Sequence, residues 1–209
     1  MSVDFVHPVR AVIPGAQGRV LAVLADTTAE LNLRTLARLA GVSLAQASRV
    51  LPGLVELGLV SRREVPPSSQ FQLNREHVAA QAVIELAQSR DVALKRIGAA
   101  VDRLPVAPAS VIIFGSFARG EADADSDIDA LVVRPDDVAD DDEPWASAIE
   151  HWRNEIRTMT GNPVEVLEVG RTETADKLLS RAQLWQDVTR DGVVVHGATL
   201  EELRRAVRA

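Results

Sequence analysis

The 209-residue sequence contains no cysteine and no tyrosine. Without cysteine, the chain forms no disulfide, no thiolate metal site and no cysteine nucleophile. Without tyrosine, it cannot modify itself on a phenolic hydroxyl. The amino terminus, MSVDFVHPVR, has no basic region followed by an apolar core. No apolar run reaches the roughly 18 residues that span a bilayer. These absences predict a cytoplasmic protein that does not bind membranes.

Charge is unevenly distributed along the chain. The formal net charge is −7, yet residues 1–75 contain eight arginines, no lysine and five acids, a balance of +3, so the remainder carries −10. Eleven acids lie between Glu121 and Glu143. A mildly basic first part and an acidic second part indicate two domains with different tasks. We expect a first domain at 1–75, a connector at 76–104 and a second domain at 105–209.

Residues 1–75 have the pattern of three helices and a hairpin. Apolar residues recur at helical spacing in GAQGRVLAVLAD and in LNLRTLARLA, which Gly41 follows as a helix C-terminal glycine. Ser43 can cap a third helix that ends at Gly58. Two strands, LVSRREV and QFQLN, flank a turn at residues 66–69. This order predicts a winged helix-turn-helix.

From residue 76 to residue 104 the apolar positions keep a helical spacing, which predicts one long connecting helix. This helix could also pack against a second subunit in a homodimer. Beyond it, the strand patterns VIIF, IDALVV, VEVLEV and VVVH alternate with helices such as WASAIEHWRNEIRTM. The predicted fold class is therefore α+β, with a winged helix-turn-helix, a long connecting helix and a domain built on a small mixed sheet.

Two acids interrupt an apolar pattern in IIFGSFARGEADADSDIDALVV, residues 112–133. Asp127 and Asp129 are two residues apart, so in a strand both carboxylates face the same side. Like charges held that close resist ionisation unless a cation lies between them. Proteins hold Mg²⁺ with one or two carboxylates together with substrate phosphates. The spacing therefore predicts a magnesium site.

The Gly115-Ser116 pair lies where the preceding strand turns into a short helix. Backbone N–H groups at such a turn point outward and bind anions. Gly115 lets a phosphate approach the backbone, and the Ser116 hydroxyl can donate to it. A phosphate site and a metal site on adjacent strand ends are what metal-assisted nucleotidyl transfer requires.

These two motifs together resemble the signature of the DNA polymerase β nucleotidyltransferase superfamily, in particular its minimal nucleotidyltransferases. The resemblance covers roughly residues 105–197. It implies three carboxylates that hold two Mg²⁺ ions, with an NTP, expected to be ATP, as donor and pyrophosphate as the leaving group. The residues that match the motif are Gly115-Ser116-Phe117-Ala118-Arg119-Gly120 and Ser126-Asp127-Ile128-Asp129.

The third carboxylate is less well defined by the resemblance. Glu165 in VEVLEV stands at the matching position, Glu168 is its rival, and most members of the family have aspartate there. The expected catalytic and metal residues are thus Asp127, Asp129 and Glu165. The residues expected to contact the nucleotide are Gly115, Ser116, Arg119 and Ser126. For Arg119 the alternative is that it only neutralises Asp123 and Asp125.

The acceptor is not defined by the sequence, beyond being a hydroxyl. Some small relatives act as antitoxins that modify a partner protein, and others adenylylate aminoglycosides. One alternative is a transcriptional regulator whose second domain only senses nucleotide. Another is toxin–antitoxin pairing, in which the helix at 76–104 or the acidic loop docks a partner.

The segment GVSLAQASRVLPGLVELGLVSRR resembles the helix-turn-helix and wing entry of small bacterial winged-helix regulators. In such folds the second helix enters the major groove, and the wing touches the DNA backbone or the minor groove. Pro52 falls inside this helix, where proline removes a hydrogen bond and kinks the chain. The alternative is that the winged helix makes protein contacts only. The residues expected to contact DNA are Ser43, Gln46, Ser48, Arg49, Arg62 and Arg63.

Overall fold

The computed structural model of the chain describes residues 2–205. Within this range the chain forms two compact units, His7–Ser89 and a second unit made of residues 2–6 and 90–205. The two units have separate hydrophobic cores. The predicted domain limits at residues 1 and 209 lie outside the described residues. No helix among residues 2–205 is both long enough and apolar enough to cross a membrane.

The unit His7–Ser89 has the predicted winged helix-turn-helix fold. Its three strands form an antiparallel sheet in the order β1-β3-β2, and β2 and β3 form the wing. Two short elements, α1 and β1, are additional to the prediction. The elements are α1 (Pro8–Val12), α2 (Gly15–Ala25), β1 (Leu31–Asn32), α3 (Leu33–Leu39), α4 (Leu44–Glu56), β2 (Val60–Val65), β3 (Ser68–Leu73) and α5 (Ala80–Ala87).

Helix α4 begins and ends where the sequence predicts. The Ser43 hydroxyl accepts a hydrogen bond from the Gln46 backbone N–H (3.1 Å), and the Ser43 N–H donates to Gln46 Oε1 (2.9 Å). This reciprocal capping satisfies two N–H groups that have no partner within the helix. Gly58 follows the helix with φ of 80°, a conformation that favours glycine. Pro52 lies inside α4, which nevertheless continues to Glu56.

The second unit contains the predicted small mixed sheet, in the order β6-β5-β4-β7. Strands β5 and β6 are parallel, whereas β4 is antiparallel to both β5 and β7. The elements are α6 (Ser89–Val101), β4 (Ser110–Phe114), α7 (Gly115–Arg119), β5 (Ile128–Arg134), α8 (Glu143–Thr160), β6 (Val164–Gly170), α9 (Arg171–Leu178), α10 (Gln183–Asp191), β7 (Val193–Gly197) and α11 (Leu200–Arg205).

The mixed sheet is covered on both faces. On one face, alternate residues of β5 pack with α6 and α8, and Trp152 is fully buried there. On the other face, Leu131 and Val133 pack with residues of α9, α10 and α11. Since residues two apart in a strand face the same side, Asp129 belongs to this second face, at the beginning of β5.

The predicted connecting helix at 76–104 is instead two helices. Helix α5 ends at Ala87, and Gln88 leaves the helical conformation before α6 begins at Ser89. The apolar residues of α5 pack into the core of the winged-helix unit, and those of α6 pack into the core of the second unit. Because each helix buries its apolar face in a different core, a continuous helical spacing does not produce a continuous helix.

The amino-terminal segment belongs with the second unit, although the predicted boundary assigned it to the first domain. The Val3 N–H donates to the Thr160 carbonyl and the Phe5 N–H donates to the Ala122 carbonyl, both at 3.1 Å. The Phe5 ring contacts the Phe117 ring edge-to-face, with centroids 4.8 Å apart. Burial of Phe5 therefore fastens this segment beside α7.

Candidate active site

Asp129 and Gly115 lie against each other at the end of the mixed sheet. Phe114, the last residue of β4, pairs directly with Asp129 of β5. Gly115 then turns the chain into α7 with φ of 72°. A Cβ atom on Gly115 would lie 2.1 Å from Asp129 Oδ2, closer than any stable contact. The half-buried Asp129 carboxylate therefore occupies the space that any other residue at 115 would fill.

Asp127 lies just outside the strand in which the sequence predicted it. Strand β5 begins at Ile128, so Asp127 is the last loop residue, and its side chain is exposed. The negative charge of Asp127 nevertheless acts on Asp129. Burial raises the pKa of Asp129, and the negative charges of Asp127 and then Glu165 raise it further, while Arg119 lowers it. Asp127, Asp129 and Glu165 therefore form a cluster of three carboxylates, here called the acidic group. Asp129 lies at its centre and is costly to ionise.

Strand register distinguishes Glu165 from Glu168. In the parallel pair β5–β6, Asp129 lies opposite Glu165, so these two side chains project from the same face. Glu168 is three residues further along and projects from the opposite face. There its Oε1 lies 2.8 Å from Nε of Arg134, an arginine whose side chain is only 11% exposed. The register therefore places Glu165, and not Glu168, next to the aspartate pair.

The acidic group offers the oxygen donors that Mg²⁺ prefers. Burial is the main cause of the raised pKa of Asp129, and the repulsion from Asp127 and Glu165 that raises it further is what a cation between the carboxylates would relieve. In the range 2–205, however, no three histidine, aspartate or glutamate side chains already lie close enough together to hold a metal ion. Glu165 instead has its Oε1 3.5 Å from Nη2 of Arg153 on α8. Asp127, Asp129 and Glu165 therefore supply the type of oxygen ligand that Mg²⁺ prefers, and the strand register places Glu165 opposite Asp129.

Arg119 makes contacts that the sequence did not predict. Its Nε lies 2.7 Å from Oε2 of Glu121 and its Nη1 lies 3.3 Å from Oδ2 of Asp191, at the end of α10. Neither Asp123 nor Asp125 contacts it. The pKa of Asp191 is lowered, mainly by the hydrogen bond from Arg190 and also by Arg119. Two carboxylates thus hold the guanidinium beside the acidic group, where its charge acts on Asp129.

Ser126 forms two hydrogen bonds with Asp123 in the loop that precedes β5. Its hydroxyl donates to Asp123 Oδ1 (2.8 Å) and accepts from the Asp123 N–H (3.0 Å). The fully buried Asn162 side chain donates to the carbonyls of Asp123 (3.3 Å) and Ser126 (2.9 Å). These bonds fix the loop that leads to Asp127.

Sequence reasoning missed three residues that support the site: Asn162, Asp191 and Arg90. The Arg90 Nε–H donates to the Phe117 carbonyl (2.9 Å), and its Nη2 donates to the Ala118 carbonyl. Arg90 therefore satisfies two carbonyls at the end of α7. Each of the three contacts a residue at least 27 positions away in sequence. Such a contact leaves no local pattern that could have revealed it.

The residues expected to contact DNA differ in their surroundings. Ser48 and Arg49 are exposed on α4, and Arg49 makes no ion pair within the described chain. Ser43 and Gln46 form the cap of α4. On the wing, Arg62 Nη2 lies 2.6 Å from Glu64, and Arg63 pairs with Glu30. Arg49 is thus the cation on α4 that is free to meet a DNA base or phosphate.

Comparisons with known proteins identify both units. A family model described as a nucleotidyltransferase domain matches residues 94–197, and one described as an IclR helix-turn-helix domain matches residues 18–64. A search of curated proteins found no match. The first match confirms the enzyme class predicted from the sequence.

Solved structures similar to this chain include two toxin–antitoxin crystal structures. A crystal structure of the toxin–antitoxin MntA–HpeT is 15% identical over 55% of this chain and 83% of that chain, with a TM-score of 0.38. A crystal structure of a toxin–antitoxin with AMP-PNP is 18% identical over 58% of this chain and 83% of that chain, with a TM-score of 0.35.

The order of the two family matches agrees with the order of the two folded units, winged helix first and mixed sheet second. The chain therefore carries a helix-turn-helix domain that is similar to the IclR helix-turn-helix domain, followed by a nucleotidyltransferase domain.

Proposed function

We propose that the second unit transfers a nucleoside monophosphate from an NTP, with ATP as the first candidate, to a hydroxyl acceptor. The observation that carries this proposal is the contact of Gly115 with Asp129, together with the register of Asp129 and Glu165. A backbone turn suited to phosphate and an acidic group suited to a divalent cation thereby meet at one end of the sheet. Both are needed to bind a nucleoside triphosphate.

In this proposal each residue has a defined role. The backbone N–H groups at Gly115 and Ser116, which begin α7 and have no intrahelical partner, bind the triphosphate together with the Ser116 hydroxyl. Arg119 contributes a positive charge toward the phosphates. Asp127, Asp129 and Glu165 hold Mg²⁺. When bound, Mg²⁺ neutralises the charge that develops on the phosphate oxygens and the leaving pyrophosphate.

The reaction itself is a displacement at the α-phosphorus. The acceptor oxygen forms a bond to that phosphorus while the bond to the bridging oxygen of the β-phosphate breaks, and pyrophosphate leaves. The acceptor hydroxyl loses its proton in this step. Glu165 is the residue assigned to accept it, since this side chain is exposed and lies next to Asp129 at the site.

The test of this proposal is a transfer assay. The full-length protein is incubated with each of four labelled NTPs and Mg²⁺, with cell extract as the source of acceptor, and pyrophosphate release and label transfer are measured. The proposal is supported if pyrophosphate release depends on Mg²⁺ and the label is transferred to one class of product. Nucleotide binding without release, together with tight binding to a specific DNA sequence, would instead favour a regulator that senses nucleotide.

The two glutamates of β6 provide a matched pair of variants. Glu165→Gln is expected to lower the transfer rate by about 10–100-fold, since it replaces a negatively charged carboxylate of the site by a neutral amide. Glu168→Gln is expected to leave transfer unchanged but lower the melting temperature slightly, because Arg134, which also pairs with Asp140, loses one of its two carboxylate partners. Kinetics and thermal denaturation measure these effects. The assignment is wrong if Glu168→Gln loses transfer and Glu165→Gln keeps it.

We also propose that the first unit binds DNA specifically, with α4 in the major groove. Arg49→Ala is expected to weaken binding to the preferred sequence by about 1–3 kcal/mol, since arginine reads guanine through two hydrogen bonds. The measurement is a titration with a DNA fragment that the wild-type protein selects from a random pool. Arg62→Ala serves as a comparison, because loss of a phosphate contact weakens all sequences alike. An equal loss on random DNA would contradict base reading by Arg49.

A further inference from the structure

The winged-helix unit contains a cleft of about 840 Å³ between α4 and the wing. Its floor consists of the buried Leu51 and Phe71 and the half-buried Leu33 and Val55. Its rim is polar except for three prolines, and it is exposed except for the half-buried Ser69. The rim residues are Ser48, Pro52, Glu56, Arg62, Glu64, Pro66, Pro67, Ser68 and Ser69. The volume lies within the range of small-molecule sites, roughly 300–1,000 Å³, and an apolar floor with a few polar groups is typical of them.

The charges at this rim favour a cation. The positive charge of Arg62 is already engaged, since its Nη2 lies 2.6 Å from Glu64 and its Nε donates to the Ser69 hydroxyl (3.1 Å). Glu56 forms no ion pair or hydrogen bond with any residue from 2 to 205. The rim therefore has one excess carboxylate above an apolar floor. This excess negative charge disfavours an anionic small molecule in the cleft, whereas a ligand with an apolar body and one positive charge would be attracted.

We propose that this cleft binds a small apolar molecule with a single positive charge, such as an aromatic amine, and that binding releases DNA. The release of DNA is inferred from the residues that line the cleft. Ser48 and Arg62 border the cleft and are also expected DNA contacts. A ligand seated against them occupies the space between the reading helix and the wing, so ligand and DNA exclude each other. The effect on DNA rests on the proposed DNA binding, whereas the binding of the cation does not.

The test uses rhodamine 6G, a flat aromatic monocation, titrated into the full-length protein and followed by fluorescence anisotropy. Saturable binding of one molecule per chain is expected. Fluorescein, which has a similar ring system and is anionic, is expected to bind at least about tenfold more weakly, because it meets the excess carboxylate. Equal binding of the two dyes would show non-specific apolar adsorption and overturn the proposal, as would the absence of saturable binding.

Two carboxylate variants locate the site. Glu56→Gln is expected to weaken rhodamine 6G binding about fivefold, which is the effect of one partly exposed charge pair. Glu85→Gln removes the same charge from α5 of the same unit, outside the cleft, and is expected to have no effect. An equal effect of both variants would mean that the dye responds only to net charge, and would overturn the assignment.

A third variant tests the apolar floor and the link to DNA. Val55→Trp fills the cleft and is expected to weaken dye binding more than about tenfold, with the melting temperature reporting whether the unit still folds. Rhodamine 6G is also added to the complex of wild-type protein with its selected DNA fragment. Displacement of the DNA at dye concentrations that saturate the cleft supports the proposal. Dye binding without displacement would overturn the regulatory role.

Discussion

Replacing Asp129 by asparagine is expected to abolish Mg²⁺-dependent NTP binding while leaving the metal-free protein at least as stable as the wild type. The loss of function follows from the position of Asp129 at the centre of the acidic group, under Gly115 and opposite Glu165. Transfer should fall by more than about 100-fold, because losing a residue that only supports a metal ligand already costs about 10–100-fold. Calorimetric titration with Mg²⁺ and a non-hydrolysable NTP analogue measures binding.

The gain or retention of stability follows from the sign of the pKa shift. The pKa of Asp129 is raised above its ordinary value of 3.8, by burial first and then by Asp127 and Glu165. A carboxyl with a raised pKa disfavours folding when it is ionised. This unfavourable contribution is absent well below pH 3.8 and develops as pH rises through that value to the raised pKa. Above the raised pKa the unfavourable contribution is fully present, and asparagine removes it.

Asp123 provides the matched control, because its pKa is shifted in the opposite direction. The hydrogen bond from the Ser126 hydroxyl, followed by backbone N–H groups, lowers the pKa of Asp123. Its charge favours folding above pH 3.8, and this contribution is lost as pH falls through the lowered value. Asp123→Asn should therefore lower the melting temperature at neutral pH slightly and keep Mg²⁺-dependent binding. A metal-free Asp129→Asn protein that melts below the wild type at pH 7 would contradict this electrostatic description.

The parts of the site that could be predicted from the sequence are those defined by local chemistry. Gly115 and Ser116 interrupt an apolar strand, and Asp127 and Asp129 are two positions apart, so both motifs are visible within a short segment. The strands and helices of the second unit could also be predicted locally, since the spacing of apolar residues and the length of each segment distinguish strands from helices. Which side chains meet across the sheet is set by register, which has no local signature.

Features that depend on packing were predicted incompletely. Apolar spacing from 76 to 104 does not reveal that α5 and α6 bury their apolar residues in different cores. Similarly, an arginine beside a run of acids suggests local pairing. Arg119 does pair with the nearby Glu121, but its second partner is Asp191, 72 positions away. Side-chain pairing of this kind follows from how α7 and α10 pack, and only the fold supplies that information.

Replacing Gly115 by alanine is expected to abolish NTP binding, and Gly120→Ala supplies the comparison that isolates the reason. Both glycines have positive φ, 72° and 76°, at the two ends of α7. A left-handed conformation costs a residue with a Cβ about 1–2 kcal/mol, so both variants should be destabilised by a similar amount. At Gly120, a Cβ would meet only the flexible Arg90 side chain, at 3.7 Å.

At Gly115 the added Cβ must also displace the Asp129 carboxylate, from which it would be separated by 2.1 Å. Asp129 cannot move toward the sheet, because Ile128 and Ala130 on either side of it are fully buried. The carboxylate is therefore driven out of its position, and the phosphate approach to the backbone is blocked by the same methyl group. Gly115→Ala should lose Mg²⁺-dependent NTP binding, as measured by calorimetry, while Gly120→Ala retains it at a comparable melting temperature. Equal retention of binding by both variants would show that the contact of residue 115 with Asp129 has no part in holding the nucleotide.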